Sequence, residues 1–233
     1  MKWTTRLALS VLPSQVWDHI RLEWSLTRRR WKNRQDAAAR VLNGRVRLRL
    51  HLGCGNRVIP GWLNIDACER PALDLRWDLR DPLPCEDGVA ELIYSEHFLE
   101  HLERADADAF LREVYRLLAP GRLVRLGVPD AGLYLRNYAA GEAEFFARLR
   151  HLGGAVQPLE TPVEVINQMF RMGGNHRYAW DYETLARAIE RVGFVSVRQW
   201  KPGEASRPEL CLDDPEHAFE TLYVEAEKPA PSA

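Results

Sequence analysis

No stretch of this sequence approaches the ~18 consecutive apolar residues that a membrane-spanning helix needs. The apolar stretch Leu7 to Leu12 is short, stops at Pro13 and precedes no small-residue cleavage site, so it does not read as an export signal. Cysteine is sparse: Cys54, Cys68, Cys85 and Cys211 lie far apart and form no C-x-x-C pair, which excludes a disulfide framework and fits reduced thiols in a cytoplasmic protein. Excess charge of either sign is lacking too, the net charge being −1, so the total favours no particular partner. No internal repeat or low-complexity tract interrupts the 233 residues, and 46% are hydrophobic, enough to build a sizeable core and exclude wholesale disorder.

What is present is unevenly distributed. Residues 1–50 carry 12 Lys and Arg against 3 Asp and Glu, whereas the rest of the chain carries 20 against 30. Residues 1–44 therefore read as a basic helical N-terminal extension, with Trp17, Ile20, Trp24 and Trp31 at roughly helical spacing and Asn43-Gly44 closing it. This arm is expected to pack on the acidic remainder or to touch an anionic membrane surface peripherally. No recognition element for nucleic acid is visible, so no nucleic-acid partner is expected.

Beyond the arm, residues 45–228 alternate strands with helices, the pattern of a mostly parallel α/β sheet covered on both faces, and 229–233 form a tail. Val46, Leu48, Leu50 and Leu52 alternate with polar residues and run into Gly53-Cys54-Gly55. Trp62 to Asp66, Asp74 to Trp77 and Ala90 to Ser95 read as further strands, and a helix is predicted from about His97 to Leu118, stopped by Pro120-Gly121. Leu123 to Val128 is a fifth strand. Residues 131–170 read as irregularly helical, and Asp181 to Val192 as a helix with Asp181 at its N-cap and Gly193 at its end. Phe194 to Trp200 and Phe219 to Glu227, with no helix between them, suggest an antiparallel pair at the sheet's edge.

Ligands of such sheets bind beyond the carboxyl ends of the strands, and three features sit there in order. The Gly53-Cys54-Gly55 turn permits close backbone approach. Asp66 ends the second strand, where a carboxylate can accept from two ribose hydroxyls. Asp78-Leu79 follows the third, where a carboxylate and an N–H can read an adenine edge.

Leu50 to Gly55, Pro60 to Asp66, Asp78 to Pro84, Leu92 to Leu102, Leu117 to Gly121, Val128 to Asp130 and Gly174 to Arg177 together resemble class I S-adenosylmethionine-dependent methyltransferases. The nearest branch is a small bacterial, type-11-like one with an L-G-C-G loop, often associated with cell-surface polysaccharide synthesis. The resemblance implies a Rossmann-like fold, S-adenosylmethionine as cofactor and a small-molecule or glycan acceptor. It implies that Gly53, Cys54 and Gly55 face the methionine part, Asp66 the ribose, and Asp78 and Leu79 the adenine, with Ser95 and Glu96 bordering the sulfonium and the acceptor. His97, Glu100, His101 and His176 are the candidate general bases, and Arg177 is a candidate anion contact.

Two departures from the family pattern stand out. His51 occupies a position, two before the first glycine, that is often acidic. Only ten residues separate Gly55 from Asp66, too few for a full helix between the first two strands. The N-terminal helix is therefore expected to cover the sheet face left bare. Three rival readings remain. The first is a binding module with this fold but without turnover. The second is zinc hydrolysis at His97-Phe98-Leu99-Glu100-His101, which spells H-x-x-E-H. The third is a nicotinamide-dependent oxidoreductase, although Val58 stands where that fingerprint needs its third glycine. No metal site is expected.

Overall fold

The structure, a computed structural model, describes residues 41–231 except 43, 46, 69–71 and 151–158. Of the arm expected over residues 1–44, residues 1–40 lie outside the described residues, and with them its expected contact with the sheet or a membrane. Its last part is seen at Leu42, which is helical and 2% exposed and packs into the principal core.

Seven strands form one sheet in the order β3-β2-β1-β4-β5-β7-β6. β1 (Leu48–Leu52), β2 (Leu63–Asp66), β3 (Leu75–Arg76), β4 (Ala90–Glu96) and β5 (Leu118–Pro129) run parallel. β7 (Thr221–Glu227) pairs antiparallel with both β5 and β6 (Val195–Trp200). The fold is thus Rossmann-like, with the expected antiparallel end. The chain reverses direction in strand order between β1 and β4, where doubly wound sheets open a crevice. No helix lies between Gly55 and β2, as the short connection requires.

The principal core joins Leu50, Leu52, Ile65, Ile93, Leu126 and Val128 of the sheet to the apolar faces of two helices. On α1 (Arg104–Leu117) these are Ala107, Phe110, Leu111, Val114 and Leu117, at the three- and four-residue spacing of one helical face. After β5 the chain builds α2 (Ala131–Ala140), α3 (Ala143–Leu149) and α4 (Pro162–Arg171). They enclose their own small core, including Tyr134, Phe146, Leu149, Val165 and Met169. α5 (Tyr182–Val192) begins where Asp181 accepts the Thr184 N–H at 2.8 Å and ends at Gly193 with φ +110°.

Two boundaries differ from those the sequence predicts. The helix after β4 begins at Arg104, not His97; Leu99–His101 make only a 3₁₀ turn, and Leu102 is extended. The Glu100 carbonyl, which a continuous helix would give to the Arg104 N–H, instead accepts from Arg177 at 2.7 Å and Tyr178 at 3.2 Å. Likewise Pro120-Gly121 does not stop a helix but lies inside β5, where Gly121 (φ +70°) bends the strand and donates to the Lys228 carbonyl.

Candidate active site

Beyond the carboxyl ends of β1, β2 and β4 lie two adjoining cavities that share Gly53, Gly55, His97 and His101 in their walls. The larger, about 630 Å³, adds Asp66, Asp78 and Leu79; the smaller, about 310 Å³, adds Cys54, Glu96, Glu100 and His176. Asp66, Asp78 and Leu79 thus line the larger cavity alone, Glu100 and His176 the smaller alone together with the cofactor candidates Cys54 and Glu96, and His97 and His101 border both.

The glycine turn is locked onto the second strand. Gly53 and Cys54 donate backbone N–H groups to the Ile65 carbonyl at 2.9 and 3.2 Å, and the Gly55 N–H donates to Asp66 Oδ2 at 2.9 Å. Asp66 Oδ1 accepts from the Cys68 N–H at 2.7 Å. Of the roughly four acceptor positions on a carboxylate, these bonds use two, and the side chain borders the larger cavity. The glycines differ in role. Gly53 has φ +69°, and a Cβ there would lie 2.3 Å from Phe98 Cγ; Gly55 has φ +53°, and a Cβ would meet nothing within 4 Å. Gly53 thus allows packing, and Gly55 leaves open space beside Asp66. Asp78 borders the same cavity with its carboxylate gripped by Arg80, at 2.9 Å from Nη2 and 3.1 Å from Nε, and Leu79 beside it is buried.

Glu96 lines the smaller cavity with its carboxylate fully engaged by neighbours. Its Oε1 accepts from Tyr223 at 2.5 Å and the Asp214 N–H at 3.2 Å, while Oε2 accepts from Arg57 at 2.7 Å and Tyr94 at 2.8 Å. This carboxylate is saturated and braces the wall. Ser95, expected beside it, is 3% exposed and lines neither cavity, because successive side chains of β4 point to opposite faces.

The base candidates also separate. His97 sits in the left-handed region, φ +49°, an unusual conformation for a side-chain-bearing residue. Its Nε2 lies 2.8 Å from Thr221 Oγ1, whose own hydrogen goes to the His217 carbonyl at 2.8 Å, so Nε2 must be the donor. Its Nδ1 faces Glu100 Oε1 at 3.3 Å. Burial opposes charging this ring, but the contact with Glu100 and the fields of Glu220 and Glu96 outweigh it and raise its pKa. The raised pKa favours a proton on Nδ1 facing Glu100, which suits His97 less well than its neighbours to act as a base.

Glu100 is 2% exposed, and neither carboxylate oxygen makes a hydrogen bond among the described residues. Burial alone would raise its pKa; the contact with His97 outweighs this and lowers it. His176 Nδ1 is bonded to the Met169 carbonyl, and His101 Nδ1 lies 3.1 Å from the Asn175 carbonyl, so both rings donate from Nδ1 and keep a lone pair on Nε2. Burial pushes the His176 pKa down, which keeps that ring neutral.

The H-x-x-E-H segment lies outside α1, and His97 faces Thr221 and His217 rather than His101, so the paired-histidine helix face of an inverted zinc protease does not form. The missing helix after Gly55 equally leaves a nicotinamide pyrophosphate without a helix N-terminus to bind. Several wall residues escaped sequence reasoning, among them Arg57, Tyr134, His217 and Glu220. Tyr134 donates to Glu220, as does His217 Nδ1 at 2.8 Å. They come from remote segments with no shared motif.

A crevice at the strand reversal, a glycine turn tied to a carboxylate, and a second cavity adjoining it mark a Rossmann-like domain with a candidate site of two compartments. A protein-family model described as "Methyltransferase domain" matches residues 66–125, so the match begins at Asp66 and omits the glycine turn. No curated protein matches the chain. Among solved structures, the chain is similar to a methyltransferase from Thermotoga maritima, described as a possible histamine N-methyltransferase (15% identity, covering 92% of this chain and 97% of that one, TM-score 0.47). It is also similar to an S-adenosylmethionine-dependent methyltransferase from Archaeoglobus fulgidus (16%, 84% and 96%, 0.47). A third is the S-adenosylmethionine-dependent methyltransferase SibL (15%, 83% and 55%, 0.45), of which the chain spans about half the length. At these identities and TM-scores the likenesses carry no functional argument. The sheet order and the family match describe a methyltransferase fold.

Proposed function

We propose that this chain is an S-adenosylmethionine-dependent methyltransferase whose acceptor is a small polar molecule or glycan seated in the smaller cavity. The observation that carries this reading is the 2.9 Å bond from the Gly55 N–H to Asp66, which turns the glycine loop and the carboxylate toward one cavity. The residues fit the cofactor: Gly55 leaves space that a Cβ would fill, Asp66 retains acceptor capacity for a ribose diol, and Asp78 and Leu79 border the same space.

When bound, the cofactor supplies an electrophilic methyl group. The chain's own contribution is alignment, and well-oriented reactants gain up to roughly 7–11 kcal/mol from effective molarity. Gly53, Gly55, His97 and His101 form the wall across which the two ligands meet. His176 supplies a neutral imidazole within the acceptor cavity to take the acceptor's proton. The wall is mixed, with Leu149, Leu159, Val165 and Met169 beside Arg57, His217 and Glu220, which suits an acceptor with both apolar and hydrogen-bonding faces, as a sugar ring has. A role in cell-surface polysaccharide synthesis agrees with a hydroxyl-rich acceptor and rests on the sequence resemblance.

Calorimetry with S-adenosylmethionine and its demethylated product tests the reading. One equivalent is expected to bind, and Asp66→Ala is expected to weaken binding at least tenfold. Equal affinity in the variant, or no binding by the parent chain, would refute the site.

A further inference from the structure

The structure assigns a second role to the smaller cavity: we propose that Glu100, His101 and His176 bind a divalent transition-metal ion. The three come from different places in the chain. Glu100 and His101 lie on the 3₁₀ turn after β4, and His176 follows α4. The carbonyl of Glu100 draws the second segment in by accepting from Arg177 and Tyr178. As a result one ligand atom from each of the three side chains lies within 4.8 Å of the other two.

The protons are placed as a metal site requires. Metal-bound histidines donate their other ring N–H to a carbonyl or carboxylate, which fixes ring and tautomer. Both histidines do so here, His176 to Met169 and His101 to Asn175, which leaves Nε2 as the ligand atom of each. The third group is a carboxylate, 2% exposed, with His97 Nδ1 at 3.3 Å from its Oε1. Thus two imidazole lone pairs converge with a carboxylate whose contact with His97 leaves further acceptor positions open. Electron pairs turned toward one another repel, and a cation between them removes that cost.

Two nitrogens and one carboxylate suit zinc, manganese, iron or cobalt better than magnesium or calcium, which prefer all-oxygen sets. Tetrahedral ligands at ~2.1 Å from an ion are roughly 3.4 Å apart, so the widest pair closes by about 1.4 Å on binding. Three protein ligands leave positions open, the mark of a working rather than a structural ion. Such an ion would take an acceptor oxygen or nitrogen as a further ligand and lower its pKa, and in the loaded chain this would stand in for proton removal by His176, whose Nε2 lone pair is then engaged. That last statement rests on the methyl-transfer reading; the metal site itself does not.

Titration of the metal-stripped full-length chain with Co²⁺ and Zn²⁺ tests the proposal, read by calorimetry and by the visible absorption of bound cobalt. One ion per chain is expected. Glu100→Gln and His176→Ala should each weaken binding at least tenfold, while Cys211→Ser leaves it unchanged. Near-ultraviolet circular dichroism checks that each variant is folded, and His101→Ala serves where one of the others is not. Absence of a stoichiometric ion in the parent chain, or equal binding by folded Glu100→Gln and His176→Ala, would overturn the site. Cobalt uptake without S-adenosylmethionine binding would uphold the metal site and remove the methyltransferase reading; the reverse result would do the opposite.

Discussion

His51 makes folding stability depend on mildly acidic pH in a way that one substitution can isolate. The ring is 2% exposed in the central strand β1, and its Nδ1 lies 3.0 Å from Asn64 Oδ1. The Asn64 amide cannot be turned round. Its Nδ2 donates to the Ile59 and Trp62 carbonyls and to Asp74, and its Oδ1 already accepts the Ile59 N–H at 2.9 Å. His51 therefore donates from Nδ1 and sits neutral. Burial, partly opposed by the Asn64 bond and reinforced by Arg57, pushes its pKa from 6.5 down to about 4. Above pH 6.5 the ring is neutral in both folded and unfolded chains and contributes no pH dependence. As pH falls from 6.5 to 4 the unfolded chain takes up a proton that the folded chain refuses, and stability drops by up to about 1.4 kcal/mol per pH unit. Below 4 both states are protonated and the loss levels off at about 3 kcal/mol. The assay is denaturant unfolding of the parent chain and His51→Leu at about pH 7.5 and about pH 4.5, comparing the two pH differences so that all other titrations cancel. The parent should lose about 2.5 kcal/mol more than the variant. If both lose the same amount to within about 0.5 kcal/mol, the burial argument for His51 is wrong.

The two turn glycines should fail in different ways. Gly53→Ala adds a Cβ 2.3 Å from Phe98 at φ +69° and should cost about 2–5 kcal/mol of stability, from left-handed strain plus overpacking. Gly55→Ala, with open space at φ +53°, should cost only about 1–2 kcal/mol in denaturant unfolding but lose cofactor affinity in calorimetry. Arg125, fully buried, makes two bonds to Asp213 at 2.9 and 2.8 Å and one to Glu225 at 2.8 Å. Arg125→Met should destabilise by about 3–5 kcal/mol, and adding Asp213→Asn and Glu225→Gln should recover part of that loss in the same assay. A single variant as stable as the parent would refute this.

Local signals carried the sequence reading furthest. Asp181 and Gly193 frame α5 because a cap is made within three or four residues of itself. The absence of a helix between Gly55 and Asp66 followed from chain length alone. A further local signal was present but unread: Thr161-Pro162-Val163-Glu164 forms a capping box with proline at the first helical position, and it fixes where α4 begins within the stretch read as irregular. Other features had no local signal. Alternating residues made β1 look half-buried, and Arg49 does reach outward to Glu91, yet His51 is enclosed because strands flank β1 and loops cover its end. The break between β4 and α1 depends on a carbonyl of residue 100 meeting amides of residues 177 and 178, a contact that no window along the chain can contain. The same bond brings His176 to Glu100; the family resemblance singled out both residues, but no local signal showed that they meet.

Glu96 and Glu100 together show why the unsatisfied carboxylate is meaningful. They lie four residues apart, both are withdrawn from solvent, and both border the same cavity. The chain surrounds Glu96 with a guanidinium, two phenols and a backbone amide, drawn from four separate segments. It can therefore satisfy a buried carboxylate fully when scaffold is what is needed. At Glu100, which is buried more deeply, it supplies the edge of one imidazole and two rings turned so that their hydrogens point away. Pairs of titratable groups driven into opposite environments mark the division of labour in an active site. Glu96 holds the wall in place, and Glu100 with its two histidines presents electron pairs to whatever cation completes them.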